Sequence, residues 1–222
     1  MKNDYMEDFT ASFTPAPDKT ALLLIDMQYA SACRTTGLGK NMIDRGQADI
    51  VAYRYDRIEN IVVPNIKRMV DFFRKNRLHV IHITLGSEMP DYSDVLPGQR
   101  GFIMSCRNTR GNREHEILDE LKPIQDECVI NKVSIGAFNS SNIDAVLRNM
   151  GIEYLLFTGV STNACVETTA RDAADRGFRG IMISDACGAT KEHLHNGTLE
   201  NFRRNFGKVE TTGEILAELS KT

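Results

Sequence analysis

The chain has 222 residues, of which 41% are hydrophobic and 26% charged, and its formal net charge is -3 at pH 7. This is the composition of an ordinary soluble globular protein, and it argues against nucleic acid as a partner because phosphate binding favours a strongly basic face. No apolar stretch approaches the ~18 residues of a membrane span, and the polar start MKNDYMEDFT lacks the apolar centre of a signal peptide. We therefore expect a cytoplasmic protein without a membrane partner.

Six short apolar runs predict six strands. Residues 1–19 are polar and contain Pro15 and Pro17, which predicts an N-terminal arm ahead of a single domain at 20–222. The first run, ALLLID at 21–26, is typical of a strand that is buried on both faces of a parallel sheet. The other five runs lie at 78–84, 128–131, 154–159, 180–185 and 208–212.

Helical patterns separate these runs. Apolar residues between 51 and 76 recur with a period of about 3.6 residues, which predicts a long helix covering one sheet face. Shorter helices are predicted at 114–121, 142–149, 163–176, 191–205 and 213–220. The alternation of strands and helices predicts an α/β fold, a doubly wound parallel sheet with helices on both faces.

Chemically reactive residues follow three of the predicted strands. Asp26 closes the first strand, Lys132 follows the third, and Cys165 follows the fourth through the turn GVSTNAC. Ligands of such folds bind beyond the carboxyl ends of the strands, near the point where the strand order reverses. The sequence therefore predicts that these three residues are neighbours in a site.

Cys165 is the candidate nucleophile. It lies at the predicted start of helix 163–176, where free backbone N–H groups and the helix dipole favour a thiolate with a low pKa. The same N–H groups could hold the oxyanion of a tetrahedral intermediate. The alternative is a small, buried, apolar residue beneath the helix. The five cysteines are odd in number and lack a C-x-x-C pair, so we expect reduced thiols.

Asp26 and Lys132 also permit two interpretations. Asp26 could accept the thiol proton and return it to a leaving amine, or it could simply cap a turn. Lys132 could hold both anions and lower their proton affinity, or it could be a solvated loop lysine. If Lys132 belongs to the site, we expect Lys132→Ala to depress turnover while leaving the fold intact.

Three segments carry a family resemblance. LLLIDMQ at 22–28, NKVSIGAF at 131–138 and GVSTNACVETTARDAADRGF at 159–178 resemble, in order and spacing, the motifs of isochorismatase-like cysteine hydrolases. The resemblance extends from about residue 20 to the C-terminus and is weakest at 29–49 and 85–113. It implies a six-stranded parallel sheet in the order 3-2-1-4-5-6 and a catalytic triad at Asp26, Lys132 and Cys165.

The resemblance also implies details of the site. A cis peptide bond between Val160 and Ser161 would turn the N–H groups of Ser161 and Cys165 into an oxyanion hole. Gln28 and Phe138 lie within the matching motifs and are candidate substrate-binding residues, the alternatives being a solvated turn and a core aromatic. Members of this family often form dimers or tetramers, so we expect a homodimer or homotetramer.

Departures from the family pattern limit which substrates and cofactors we expect. Members that cleave isochorismate resemble this chain but lack the nucleophilic cysteine, so Cys165 favours amide-type substrates. Nicotinamidase-like members have histidine ligands after the second strand, whereas residues 84–94 contain none, so we expect no metal and no cofactor. The histidines His193 and His195 are expected on the surface of their helix.

Four arginines crowd the loop after the second predicted strand: Arg100, Arg107, Arg110 and Arg113. They could clamp a substrate carboxylate, with Arg107 the candidate we select, or form a solvated basic loop. The sequence thus predicts a cysteine-dependent amidohydrolase that cleaves a small amide, ureido or carbamoyl compound through a thioester. The alternatives are an isochorismatase-type vinyl ether hydrolase and a non-catalytic binding or thiol-redox relative.

Overall fold

Six parallel strands form one sheet in the computed structural model, which describes residues 10–221. The strands are β1 (Thr20–Ile25), β2 (His79–Leu85), β3 (Cys128–Lys132), β4 (Tyr154–Val160), β5 (Arg179–Gly188) and β6 (Gly207–Glu210). Their order in the sheet is β3-β2-β1-β4-β5-β6, and every neighbouring pair is parallel. The predicted fold class, strands and strand order are confirmed. The chain order reverses between β1 and β4.

Nine α-helices connect the strands within the described residues. They are α1 (Tyr29–Ala32), α2 (Gly37–Asp44), α3 (Ala52–Arg57), α4 (Val63–Lys75), α5 (Pro97–Ser105), α6 (Ile143–Asn149), α7 (Glu167–Asp175), α8 (Glu192–Asn205) and α9 (Thr212–Leu219). The π-helical turn Ile58–Val62 joins α3 to α4, so the long helix predicted at 51–76 is confirmed as one nearly continuous element. A second π-helical turn, Thr162–Val166, leads into α7.

The helices cover both faces of the sheet. Every residue of β1 is buried, and successive side chains of a strand point to opposite faces. Leu22 and Leu24 pack with α3, α4 and α9 on one face, whereas Leu23 and Ile25 pack with α6, α7 and α8 on the other. A strand that must be apolar on both faces explains the uninterrupted apolar run ALLLI.

The helix predicted at 114–121 is absent. This segment forms two short 3-10 turns, Arg113–His115 and Asp119–Leu121. The backbone between the turns is bound to the chain that leaves β1: Tyr29 N donates to Glu116 O at 3.0 Å, and Leu118 N donates to Met27 O at 2.9 Å. A continuous helix would use those groups internally, so the long-range pairing replaces it.

The N-terminal arm is described only from residue 10 onward, and residues 1–9 lie outside the described range. In the described part, the Phe13 ring packs against Tyr154 with 5.8 Å between ring centroids, and the Phe13 carbonyl accepts a hydrogen bond from Lys208. This section of the arm therefore lies against its own domain. Between residues 10 and 221, the structure contains no helix that is long and apolar enough to cross a membrane.

Candidate active site

The ends of three strands bring Asp26, Lys132 and Cys165 together. Lys132 Nζ lies 3.0 Å from Asp26 Oδ2, and the Cys165 thiol is hydrogen-bonded to both side chains. Asp26 is 2% exposed, Lys132 is 0% exposed and Cys165 is 9% exposed. The three residues predicted to be neighbours thus form one buried cluster at the point where the strand order reverses: Asp26 directly follows β1, Lys132 ends β3 and Cys165 lies in the turn after β4.

The backbone of Asp26 turns sharply at the end of β1. Its φ angle is 54°, in the left-handed region, which a short polar side chain such as aspartate tolerates better than most. Asp26 N donates to Ile83 O at 2.9 Å, and the carbonyl of Asp26 accepts a hydrogen bond from the Ser31 hydroxyl. These bonds fix the carboxylate at the edge of the sheet.

The turn that carries Cys165 depends on a close approach of two strands. Gly159 has a φ of 108°, and a Cβ atom at this position would lie 2.1 Å from the carbonyl oxygen of Ile25. Only glycine therefore allows β4 to end this close to β1. The peptide bond Val160–Ser161, one residue further along the chain, is cis, as the family resemblance implies, and the π-helical turn begins directly after it.

His195 anchors this turn from α8. Its Nδ1 lies 2.9 Å from Thr162 Oγ1 and its Nε2 lies 2.9 Å from Arg57 Nη2. Burial, followed by the charge of Arg57, lowers the pKa of His195 to about 4, so the ring is neutral at neutral pH. The prediction that both histidines of α8 lie on the surface is wrong for His195, which is 3% exposed, because its face of the helix packs on the turn. His193 is exposed as predicted.

Burial governs the proton affinities of the cluster. It raises the pKa of Asp26, although the charge of Lys132 acts in the opposite direction. Burial and then the charge of Asp26 raise the pKa of Cys165 to about 12. Burial also lowers the pKa of Lys132, but the charges of Asp26 and Cys165 outweigh it, and the pKa ends above its ordinary value. The low thiol pKa predicted from the helix start is therefore wrong, and Cys165 needs a base to react.

A cavity of about 430 Å³ opens onto the cluster. This volume suits a small-molecule ligand. Asp26, Ser161 and Cys165 contribute polar groups to its lining, and helices α2 and α5 contribute apolar ones through Leu38 and Phe102. These two helices come from the segments in which the family resemblance is weakest. A second depression of about 470 Å³ lies beside β2 and β3, and no cysteine or serine lines it.

The three predicted substrate-binding residues do not line this cavity. Gln28 is fully buried; its amide donates to His115 O at 2.8 Å and its Oε1 accepts from Leu85 N at 2.8 Å. Phe138 is a core aromatic that packs with Phe178 at 5.9 Å between ring centroids. The side chain of Arg107 is 71% exposed and faces Glu114. Gln28 and Phe138 hold neighbouring segments in place, and Arg107 belongs to a solvated loop.

Sequence reasoning missed Arg54, which does line the cavity. Its side chain is 3% exposed. Nη1 donates to Ser161 Oγ at 2.6 Å, and Nη2 donates to the carbonyl of Ser31 at 3.0 Å. One signal was available in the sequence. Arg54 lies three residues after Val51 and four residues before Ile58, which places it on the apolar face of the long helix. A charged residue faces the interior there only with a specific partner or ligand.

Metal ligands are not clustered in the described part of the chain. Across residues 10–221, no group of three or more His, Cys, Asp or Glu side chains is arranged to hold a metal ion. The expectation that the protein uses neither metal nor cofactor stays a prediction.

Comparisons with known proteins agree on one family. The sequence model of the isochorismatase domain matches residues 20–214. The chain is 29% identical over 223 residues to a ureidoacrylate amidohydrolase, RutB, of Rhizobium rhizogenes, covering 94% of this chain and 86% of the relative. It is 27% identical to the RutB ureidoacrylate amidohydrolase of Agrobacterium fabrum, covering 94% and 93% of the two chains.

Solved structures share the fold. A cysteine hydrolase from Pseudomonas syringae superposes with a TM-score of 0.78 at 22% sequence identity, over 100% of this chain and 99% of the other. An N-carbamoylsarcosine amidase from Thermoplasma acidophilum superposes with a TM-score of 0.64 at 23% identity, over 87% and 96% of the two chains. At these identities the likeness establishes the fold.

Proposed function

Since this chain belongs to the isochorismatase family, we propose that it is a cysteine-dependent amidohydrolase that cleaves a C–N bond of a small ureido or carbamoyl compound. One observation carries the proposal: a thiol, a carboxylate and an ammonium form a single buried cluster that opens onto a cavity of about 430 Å³. The substrate class follows the ureidoacrylate amidohydrolases that the chain resembles along most of its length.

Asp26 acts as the base in the proposed mechanism. Because the pKa of Cys165 is raised to about 12, the free thiol is protonated at neutral pH, and the adjacent Asp26 carboxylate takes its proton as sulfur attacks the substrate carbonyl. Lys132 remains cationic and stabilises whichever of the two partners carries the negative charge. Asp26 then returns the proton to the departing nitrogen, and the acyl group stays on sulfur as a thioester.

Backbone N–H groups stabilise the tetrahedral oxyanion in this proposal. Ser161 directly precedes the π-helical turn, Cys165 lies within it, and both residues line the cavity. An N–H group fixed in the backbone needs no reorganisation when charge develops on the carbonyl oxygen, which is why such donors are effective. Water activated by Asp26 hydrolyses the thioester and restores the thiol.

Ammonia release measures this reaction whichever nitrogen leaves first. If the unsubstituted nitrogen of a ureido group leaves first, it is released directly as ammonia. If the substituted nitrogen leaves first, hydrolysis of the carbamoyl thioester gives carbamate, which breaks down to ammonia and carbon dioxide. Either route gives one ammonia per substrate, so the assay does not depend on the direction of cleavage.

The test is an ammonia-release screen over ureido acids, carbamoyl acids and simple amides, with the Cys165→Ala protein as the blank. We expect at least one ureido or carbamoyl compound to be hydrolysed by the wild-type protein and not by the variant. Ammonia release that survives in Cys165→Ala would contradict a thioester intermediate. A wild-type protein that releases ammonia from no compound in the screen would contradict the proposal and favour a vinyl ether hydrolase or a binding or redox relative.

We also propose that the protein is a cytoplasmic homodimer or homotetramer. Large apolar side chains on or next to α5 support this assembly, because Leu96 is 41% exposed, Phe102 is 43% exposed and Met104 is 47% exposed. Sedimentation equilibrium tests it, and a monomer over the whole concentration range would contradict it.

A further inference from the structure

The guanidinium of Arg54 is a buried charge that forms no ion pair with a carboxylate within residues 10–221. Arg54 is 3% exposed, and its two described acceptors, Ser161 Oγ and the carbonyl of Ser31, are both neutral. Its Nε has no hydrogen-bond partner among the described residues. A buried cation normally pairs with an anion, because removing charge from water without such a partner is costly.

The charges around the thiol do not balance. The cluster contains one carboxylate, Asp26, and two cations, Lys132 and Arg54, all at most 3% exposed. Lys132 is paired with Asp26 at 3.0 Å, and the Cys165 thiol is neutral at neutral pH because its pKa is raised to about 12. One positive charge, that of Arg54, therefore has no counterpart in the part of the chain that the structure describes. Since Arg54 lines the cavity, an anion that enters the cavity can reach it.

The position of Arg54 relates it to the reacting atoms. Its Nη1 binds the hydroxyl of Ser161, whose N–H group is a proposed oxyanion donor, and Arg54 and Cys165 line the same cavity of about 430 Å³. The guanidinium carbon lies 6.0 Å from the centroid of the Tyr55 ring. A carboxylate bound to Arg54 would place the remainder of a small molecule beside the thiol.

We propose that Arg54 is the specificity-determining residue of the site and that it binds a carboxylate of the substrate, so the substrates are small ureido or carbamoyl acids. This inference rests on the proposed function only for the identity of the reacting group. The anion site itself is a property of the cavity. Arg107 and the other arginines of the same loop do not line this cavity.

Alkylation of Cys165 tests the anion site without any assumption about hydrolysis. Iodoacetate and iodoacetamide have the same reacting carbon and leaving group, but only iodoacetate carries a carboxylate. In both reactions sulfur bonds to the methylene carbon, iodide leaves and the thiol proton passes to Asp26 or to water. The ratio of the two rates, measured by mass spectrometry on the peptide that contains Cys165, reports the preference for an anion. Glutathione provides the reference ratio for a thiol in water.

We expect the iodoacetate-to-iodoacetamide ratio at Cys165 to exceed that of glutathione by about 10- to 100-fold, the range for hydrogen bonds to charged groups. Arg54→Gln keeps a donor for Ser161 but removes the charge, and its ratio should fall to the glutathione value. Arg54→Lys keeps the charge but not the planar fork, and its ratio should lie between the two. Arg107→Gln, in the exposed loop, is the matched control and should keep the wild-type ratio.

A wild-type ratio at or below that of glutathione would overturn the proposal. So would an Arg54→Gln ratio equal to that of the wild type, because Arg54 would then only position Ser161. If Arg54→Gln does not fold, the wild type and Arg54→Lys still decide the question. A neutral amide of each ureido acid should be hydrolysed about 10- to 100-fold less efficiently than the acid. If hydrolysis fails for every compound while the alkylation ratio is high, the proposed function is wrong and the anion site stands.

Discussion

Removal of the Lys132 charge is expected to destabilise the fold as well as to abolish activity. The ammonium is 0% exposed and lies 3.0 Å from the carboxylate of Asp26, which is itself 2% exposed. Lys132→Met keeps most of the side-chain volume but removes the ammonium that is hydrogen-bonded to the buried Asp26 carboxylate. Breaking a buried pair in this way costs about 3–5 kcal/mol of the free energy of unfolding, a large part of what a domain possesses. This prediction differs from the one drawn from the sequence, that loss of the lysine leaves the fold intact, and unfolding measurements decide between the two.

A double-mutant cycle isolates the contribution of the pair. We expect Lys132→Met and Asp26→Asn each to lower the free energy of unfolding by about 3–5 kcal/mol. The double variant carries neither charge, so its loss should be far smaller than the sum of the two single losses, with a coupling energy of at least about 3 kcal/mol. All three variants should be inactive.

Urea unfolding followed by circular dichroism at neutral pH measures these differences, provided that the slope with denaturant stays constant. Lys67→Met is the matched control, because the Lys67–Asp71 pair is also formed at 2.8 Å but has side chains that are 54% and 56% exposed. It should change the free energy of unfolding little, because exposed pairs contribute little. Additive losses in the double variant would refute the reasoning, since Asp26 and Lys132 would then not stabilise each other in the folded protein.

The pKa of His195 falls from 6.5 to about 4 on folding, so the unfolded chain binds more protons between these pH values. The free energy of unfolding should therefore decrease by about 3 kcal/mol as the pH falls from 6.5 to about 4. Urea titrations of His195→Asn should not show this decrease. Gly159→Ala should lower the free energy of unfolding by about 2–4 kcal/mol in thermal or urea unfolding, because its Cβ would lie 2.1 Å from Ile25 O at a φ of 108°. The control Gly197→Ala, in open space on α8, should stabilise the protein by up to about 1 kcal/mol. Equal effects of the two substitutions would contradict the close approach of Gly159 to Ile25. Iodoacetamide labelling of Cys165 should still accelerate with pH at about pH 9, and a plateau near neutral pH would indicate a low-pKa thiolate instead.

The strands were predictable because the residues at each strand end show in the sequence where the strand stops. A run such as ALLLID identifies both a buried strand and the carboxylate that follows it, and parallel topology then brings such ends to one edge. Helices α2 and α5 were missed because both contain glycines, which disfavour helices in isolation. Gly39 in α2 is required by packing, since a Cβ there would lie 2.1 Å from the carbonyl oxygen of Arg34.

Pairings between distant residues were not predictable in the same way. Arg54 and Ser161 are separated by 107 positions, and no local pattern indicates that a helix residue reaches the turn after β4. The same holds for His195, whose partners Thr162 and Arg57 lie 33 and 138 positions away. A period of about 3.6 residues predicts that a helix exists, but the partner of each inward side chain depends on tertiary packing.

The thiol pKa illustrates how tertiary context reverses a local rule and yet leaves the chemistry feasible. A helix start favours a thiolate, but burial and the charge of Asp26 raise the pKa of Cys165 to about 12. That value describes loss of the proton to water, which would add a second anion to the buried cluster. Transfer of the proton to Asp26 adds none: it moves one negative charge from oxygen to sulfur while Lys132 remains bound beside both. The proposed proton transfer therefore adds no further negative charge to the buried cluster, and an anion held by Arg54 would not alter this balance, because its charge is already matched by the guanidinium.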